Sequence, residues 1–229
     1  MRDRLSNEEF TINMGLNDGT PIVFSRRPAI DGETFFSRKG FYCINLQLVC
    51  DDRGFIRSYL TGWPGSVFDN SLFEKTRMFT ERANYFSEGE YLLADSGYAL
   101  SPICATPYRK PQSNADHNKL FNELFSSARG KIEHVNGILK SRWSSLKGIP
   151  TQIKQKSDFA KVNHHIIACI ILYNLLLKLK DHWVEDEDVA EDGRVGAVEM
   201  NLREEDRDAK QLRIYVQSEC LTWYYNNRA

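Results

Sequence analysis

The order of residues predicts a layered α/β fold, a mixed sheet with flanking helices, on three observations. Met14–Phe24 and Gly40–Cys50 are rich in Ile, Val, Phe and Tyr and read as strands, the second alternating partly with period two. Tyr91–Ala94 is a short, fully apolar stretch that stops at Asp95, as a buried strand does at its carboxyl end. From Leu120 onward, apolar residues recur three and four apart, the spacing of amphipathic helices. Strands followed by long helices suit a sheet with helical layers packed against it.

Each element follows in order. Asp51–Gly54, "DDRG", is a turn signal, so the strand expected at Phe55–Gly62 returns antiparallel to its predecessor. After the turn residues Gly62–Gly65 comes a short helix over Val67–Arg77. Ser66 is its expected N-cap, which leaves Asp69 in the first turn. One strand begins at Tyr91 and another is expected near Pro102–Thr106, followed by the polar loop Arg109–Asn118. A long helix spans Leu120–Leu146, with Phe121, Leu124, Phe125, Ala128, Ile132, Val135, Leu139, Trp143 and Leu146 on its apolar stripe. A second spans Asp158–Lys180 and is expected to be a buried core helix. The expected organisation is one folded domain over 1–180. An acidic C-terminal tail over 181–229 follows, with a peripheral helix near Gly196–Ser218.

The 229 residues are 41% hydrophobic and 12% aromatic, enough for a packed core. No apolar run reaches the roughly 18 residues of a membrane span, and the stretch Ile166–Leu179 is interrupted by Asn174 and Lys178. The first ten residues carry no apolar signal stretch. Five scattered cysteines without C-x-x-C read as reduced, mostly buried thiols of a cytosolic or nuclear protein, and the histidines have no zinc spacing. The net charge of −1 hides a gradient. Phe121–Lys180 holds ten Lys/Arg against three acids, whereas Asp181–Ala229 holds six against thirteen. A basic segment beside an acidic one points to a polyanionic partner or to a solvated helix face.

Four carboxylates stand out by position. Asp18 lies in the first strand, Asp69 at the start of the first helix, Asp95 at a strand end and Glu133 on a long helix; the successive intervals are 51, 26 and 38 residues. Acids from strand ends and a covering helix can converge, and their repulsion is relieved by hard cations such as Mg²⁺ or Mn²⁺. Two such ions roughly 3.5–4 Å apart can activate a water and stabilise the leaving oxygen of a phosphodiester. Each acid also has a plainer reading. Asp18 and Asp95 would be turn aspartates, Asp69 a helix N-terminal acid, and Glu133 the ion-pair partner of Arg129 four residues earlier. Asp51 and Asp52 are assigned to their turn, and His134 to a flank.

The ordered series "DGT" from Asp18, "RKG" from Arg38, "GWPGSVFDN" from Gly62, "YLLADSGY" from Tyr91, "TPYR" from Thr106 and "ARGKIEHVNGILKSRW" from Ala128 resembles the Harbinger-type transposase nucleases of the DDE endonuclease superfamily. The resemblance covers Met14–Leu146 and, more loosely, the helix to Lys180. It implies a ribonuclease H-like fold and a nuclear, divalent-metal-dependent DNA endonuclease. Asp18, Asp95 and Glu133 match the catalytic acids. With Asp69, a fourth acidic position, they match the metal-binding set, for two Mg²⁺ or Mn²⁺ ions. The "WPGS" turn is then expected to aim Asp69 at the metals, with Trp63 packing beneath it. Arg38, Lys39, Arg129, Lys140, Arg142 and Lys147 are the expected DNA-binding cations. The implied partners are DNA and a Myb-like DNA-binding protein, with no membrane. Homo-oligomerisation is left open.

Two departures from that pattern bear on function. Pro21 stands where many relatives carry a donor-bearing residue, and a proline sits awkwardly in a central strand. Only 17 residues precede Asp18, where relatives carry a helical DNA-binding region. A chain that cuts DNA without choosing where is therefore expected. The rival is a domesticated, non-catalytic nuclear protein that binds DNA or a partner. An RNA-cleaving ribonuclease H-like enzyme fits the motif set less well.

Overall fold

Among the described residues, five strands form one sheet: β1 (Gly15–Val23), β2 (Cys43–Cys50), β3 (Ile56–Pro64), β4 (Leu92–Leu93) and β5 (Cys104–Ala105). Their order is β3-β2-β1-β4-β5. β2 runs antiparallel to both β1 and β3, while β4 is parallel to β1 and β5 parallel to β4. The computed structural model describes residues 15–181 and 206–227. Met14 of the first expected strand and 196–205 of the last expected helix lie outside the described residues.

Aspartate chemistry makes the β2–β3 hairpin. Asp51 accepts from the backbone N–H groups of Arg53 and Phe55 and from the Arg57 guanidinium, so it serves the turn as expected. β3 runs two residues further than the sequence predicts, carrying Trp63 and Pro64 into the sheet opposite Asn45 and Ile44.

The sheet separates two apolar layers because successive side chains point to opposite faces. Leu16, Leu46, Leu48, Leu93 and Ala105 face the larger core, and Val49, Leu92, Ala94 and Cys104 face the smaller one. The helices α3 (Asp116–Arg142) and α4 (Lys156–Lys178) supply Phe121, Phe125, Ile132, Val135, Val162, Ile166 and Ile170 to the larger core. The helix α1 (Asp69–Phe73) and the single turn α2 (Arg77–Thr80) cover the other face with Phe73 and Met78.

Several boundaries differ from expectation. The first short helix starts at Asp69, with Phe68 rather than Ser66 at the N-cap and no side-chain cap bond. α3 stops at Arg142 because Trp143 leaves the helical region (φ −118°, ψ 80°). Lys147 therefore lies outside that helix. α4 begins two residues early, closed by a reciprocal capping box between Gln155 and Asp158.

α4 is long and apolar enough to cross a membrane by length and composition. It is not enclosed on all sides as a core helix would be. One face enters the core, Tyr173 donates to the Gly54 carbonyl, and Asn174 bonds both the N–H and the carbonyl of Ile56 at the edge of β3. Its opposite side leaves Ile171, Leu172, Leu175 and Leu179 exposed.

The last helix, α5 (Arg207–Asn226), is no peripheral addition. Val216 and Cys220 enter the larger core, Tyr108 donates to Gln217 at 3.0 Å, and Gln217 donates to Asn118 on α3 at 2.8 Å. Its apolar stripe needs α3 and β5 to be buried, a partnership invisible in local composition.

All five cysteines are reduced and buried, as expected. Burial pushes the Cys50, Cys104 and Cys220 thiols up to about 12, which leaves them unreactive.

Candidate active site

The parallel pairing of β1 with β4 joins Gly15 to Leu92 and Leu16 to Leu93, and then ends. The same step beyond that pairing takes β1 to Asp18 and β4 to Asp95. The two acids are level on adjacent strands where the strands part. Both share the parity of Leu16 and Leu93, so both point to the α3 side. This is the carboxyl edge of the parallel strands, where α/β sheets place their sites.

Pro21 fits the same geometry. Phe24 N–H bonds Tyr42 across β2, while Gly15 and Ser25 donate on the opposite side. By alternation the nitrogen of Pro21 also faces that opposite side, beyond the last β1–β4 pair. The missing N–H therefore costs no ladder bond.

Helix α3 crosses above Asp18. Residues 129, 133, 136 and 140 share one helical face by their spacing. Arg129 donates to Asp18 Oδ1 at 3.4 Å and Asn136 donates to Asp18 Oδ2 at 3.0 Å. The plainer expectation of an Arg129–Glu133 pair gives way to this longer-range one. Glu133 itself is exposed on the same face and raises the Asp18 carboxyl by repulsion.

Asp69 arrives from the other side of the sheet. The ground beneath its carboxylate is Gly19 rather than Trp63: a Cβ added at 19 would collide with the Asp69 carboxylate. Trp63 instead lies under the Lys75 ammonium, 5.1 Å from its ring centre. Two amides hold α1 in place. Asn45 of β2 donates to the Val67 carbonyl at 2.7 Å, and Asn70 accepts from Ala99 N–H at 2.7 Å. Gly65 makes the preceding turn possible, since a side chain there would meet Cys43.

The loop after β4 is fixed too. Asp95 Oδ1 accepts from Gly97 N–H at 2.7 Å, and the Arg109 guanidinium donates to the carbonyls of Ser96 and Tyr98. Tyr98 is buried beneath the acids, with its hydroxyl accepting from Gln47 at 2.8 Å; Gln47 also donates to Asn17 at 2.5 Å. Burial, followed by Asp69, Asp18 and Asp95, pushes the Tyr98 phenol far up, so this floor stays neutral.

The electrostatics tie the four acids together. Burial raises the Asp18 carboxyl to about 7 against the pull of Arg129, and Asp95, Asp69 and Glu133 add to the rise. Asp69 is exposed along its outer edge while its inner side rests on Gly19. Burial there, then Asp95, lifts it to about 6, and Lys39 and Arg38 draw it back. Among the described residues, no three His, Cys, Asp or Glu side chains stand close enough to hold a metal ion as they are. The donor set nevertheless suits a hard cation: it is all carboxylate, and the repulsion of Asp95, Asp69 and Glu133 on Asp18 is what a cation would relieve.

The expected cations divide. Arg38, Lys39 and Lys147 are exposed. Arg129 and Lys140 are buried beside the apolar stripe of α3, whereas Glu133 stands exposed at its rim. Arg142 pairs with Asp181 at 2.6 Å. Asn136 and Arg109 were missed from sequence, although Asn136 lies three residues from Glu133 and shares its face.

Residues 17–174 match the family described as DDE superfamily endonuclease. The chain is 28% identical over 165 residues to "Putative nuclease HARBI1" of Homo sapiens, covering 72% of this chain and 46% of that one. It is 25% identical over 165 residues to the protein of the same name from Xenopus laevis, covering 72% and 46%. It is 26% identical over 180 residues to "Protein ALP1-like" of Arabidopsis thaliana, covering 73% and 42%. The chain thus spans less than half the length of these relatives. No solved structure matches. The matched segment takes in Asp18, Asp69, Asp95 and Glu133 together with the sheet and helices that carry them, and the chain belongs to the DDE superfamily endonuclease family.

Proposed function

We propose that this chain is a ribonuclease H-like, divalent-metal-dependent DNA endonuclease domain of Harbinger type. The observation that carries the reading is geometric: Asp18 and Asp95 are level beyond the last β1–β4 pair, the Asp69 carboxylate rests against Gly19, and Glu133 lies on the helix whose Arg129 and Asn136 reach Asp18. The order β3-β2-β1-β4-β5, antiparallel and then parallel, supports the fold assignment.

Asp18, Asp95 and Glu133 are the catalytic carboxylates, and Asp69 completes the set that would hold two Mg²⁺ or Mn²⁺ ions. Such ions supply an activated water and neutralise charge on the phosphodiester. The chain's own residues do the positioning. Asn136 and Arg129 orient the two oxygens of Asp18. Arg109 holds the loop behind Asp95, and Asn70 and Gly19 bring Asp69 to the edge. Arg38 and Lys39 draw the DNA backbone to the site. Target choice belongs to a Myb-like partner, in the nucleus.

A second reading, a DNA- or partner-binding protein that does not cut, draws support from the Arg129–Asp18 pair, which already gives Asp18 a cationic partner. Nicking of supercoiled plasmid with Mg²⁺ or Mn²⁺ separates the two. Cleavage lost in EDTA and lost in Asp95→Asn supports the nuclease. A folded chain that binds DNA but never nicks it supports the second reading.

A further inference from the structure

One surface beside the acids has no part in the proposed metal site. Phe68 immediately precedes Asp69 and is 46% exposed. Its ring carries the Arg38 guanidinium 3.5 Å from its centre. Arg38 and Lys39 are both exposed, and both act electrostatically on Asp69. On the same side of the sheet Trp63 lies under the Lys75 ammonium. That side is fixed by the pairing of Trp63 with Asn45, whose amide grips the Val67 carbonyl one residue before Phe68. Two cation-capped aromatics thus flank the turn that presents Asp69.

Exposed aromatic faces interleaved with cations suit stacked bases and their phosphates. A base stacked within a duplex has both faces covered by its neighbours, whereas an unstacked, unpaired one has a face free for such a ring. We infer that Phe68, capped by Arg38, is a stacking platform for an unpaired DNA base next to the scissile phosphate, so that this site takes single-stranded or locally opened DNA in preference to an intact duplex. The inference rests on the nuclease reading for its placement at the scissile phosphate; the stacking itself does not. Phe68 has a further constraint in its favour. It is the N-cap residue of α1 in extended geometry (φ −71°, ψ 143°), so its side chain moves with the same backbone that sets Asp69. A base seated on it would be registered against the acids within one residue.

The test is fluorescence anisotropy of the full chain in EDTA. The probe is a short labelled DNA oligonucleotide, presented single-stranded, as a duplex, and as the RNA of the same sequence. Wild type and Phe68→Trp should prefer the DNA single strand. Phe68→Ala and Phe68→Leu should each lose about tenfold in single-strand affinity, with duplex affinity changed less than about twofold. Phe68→Leu keeps apolar bulk and removes only the ring, and an unchanged melting temperature confirms that α1 is intact. Arg38→Ala should weaken single strand and duplex alike. Wild-type affinity in Phe68→Leu, equal losses for duplex and single strand, or tighter binding of RNA than of DNA would overturn the platform. Plasmid nicking on the same preparations is scored separately. Nicking without Phe68-dependent binding discards the platform and keeps the nuclease. Phe68-dependent binding without nicking does the reverse.

Discussion

Asp18 and Asp95 stand level with each other, each two residues past the last pair that joins the parallel strands β1 and β4. The strands separate where the acids begin, so two carboxylates face one gap, Asp18 held by β1 and Asp95 by the loop that Gly97 and Arg109 fix. The proposed metal site would thus rest on backbone that the fold already fixes. Mg²⁺ or Mn²⁺ should therefore raise the melting temperature of the wild-type chain, by the mass-action stabilisation of any ligand that binds only the folded state. Asp18→Asn and Asp95→Asn should each abolish the rise. Calorimetry with and without EDTA reads it, and an equal rise in both variants would remove these acids from the site.

The Asn136–Asp18 hydrogen bond predicts a positioning effect. Asn136→Ala should keep the fold and reduce metal-dependent nicking about 10–100-fold, as loss of an outer partner of a metal ligand does. The loss should be partly recovered at higher Mn²⁺. Cleavage at the wild-type rate would show that Arg129 alone orients Asp18.

Gly19 predicts a steric effect. In Gly19→Ala the new methyl meets the Asp69 carboxylate, so that side chain must turn away or carry α1 with it. The expected cost is about 1–3 kcal/mol of stability, with a larger proportional loss of nicking. Asp69→Ala in the same background should restore the stability, because it removes the colliding group. Chemical denaturation of the two variants checks this.

The Asp18 carboxyl predicts a pH dependence for the metal-free chain. Its folded value, about 7, lies above the ordinary 3.8. Between those values the folded state holds a proton that the unfolded chain has released. Stability from this group is full below about pH 4 and falls as pH rises through 7. Melting temperature in EDTA should decline across that window more steeply for wild type than for Asp18→Asn. Added Mg²⁺ should flatten the decline, since a cation favours the ionised form.

The core makes a plainer prediction. Phe121 is fully buried at the meeting of α3 with the sheet and packs edge-on against Phe125 and Tyr108. Phe121→Ala should cost about 3–5 kcal/mol, read by denaturant midpoint, and should lower nicking only through the folded fraction.

By itself the sequence determined the α/β class, the order of its strands and long helices, and the positions of the four acids. Periodicity, turn residues and motif order are local signals, and each survives folding unchanged. Only the tertiary structure decided who meets whom. Arg129 looks like a partner for Glu133 at helical spacing, yet it reaches Asp18, 111 residues away, because α3 lies across β1. Lys140 looks like a surface cation and is buried, because helical spacing names a face without saying which way it turns. α5 looks like a helix in an acidic tail and is core, because its apolar stripe finds α3 and β5. Trp63 looks like the floor under Asp69, but that floor is Gly19, a residue notable for having no side chain. Such contacts depend on how elements pack, and packing is settled by the whole core at once rather than by any one stretch of chain.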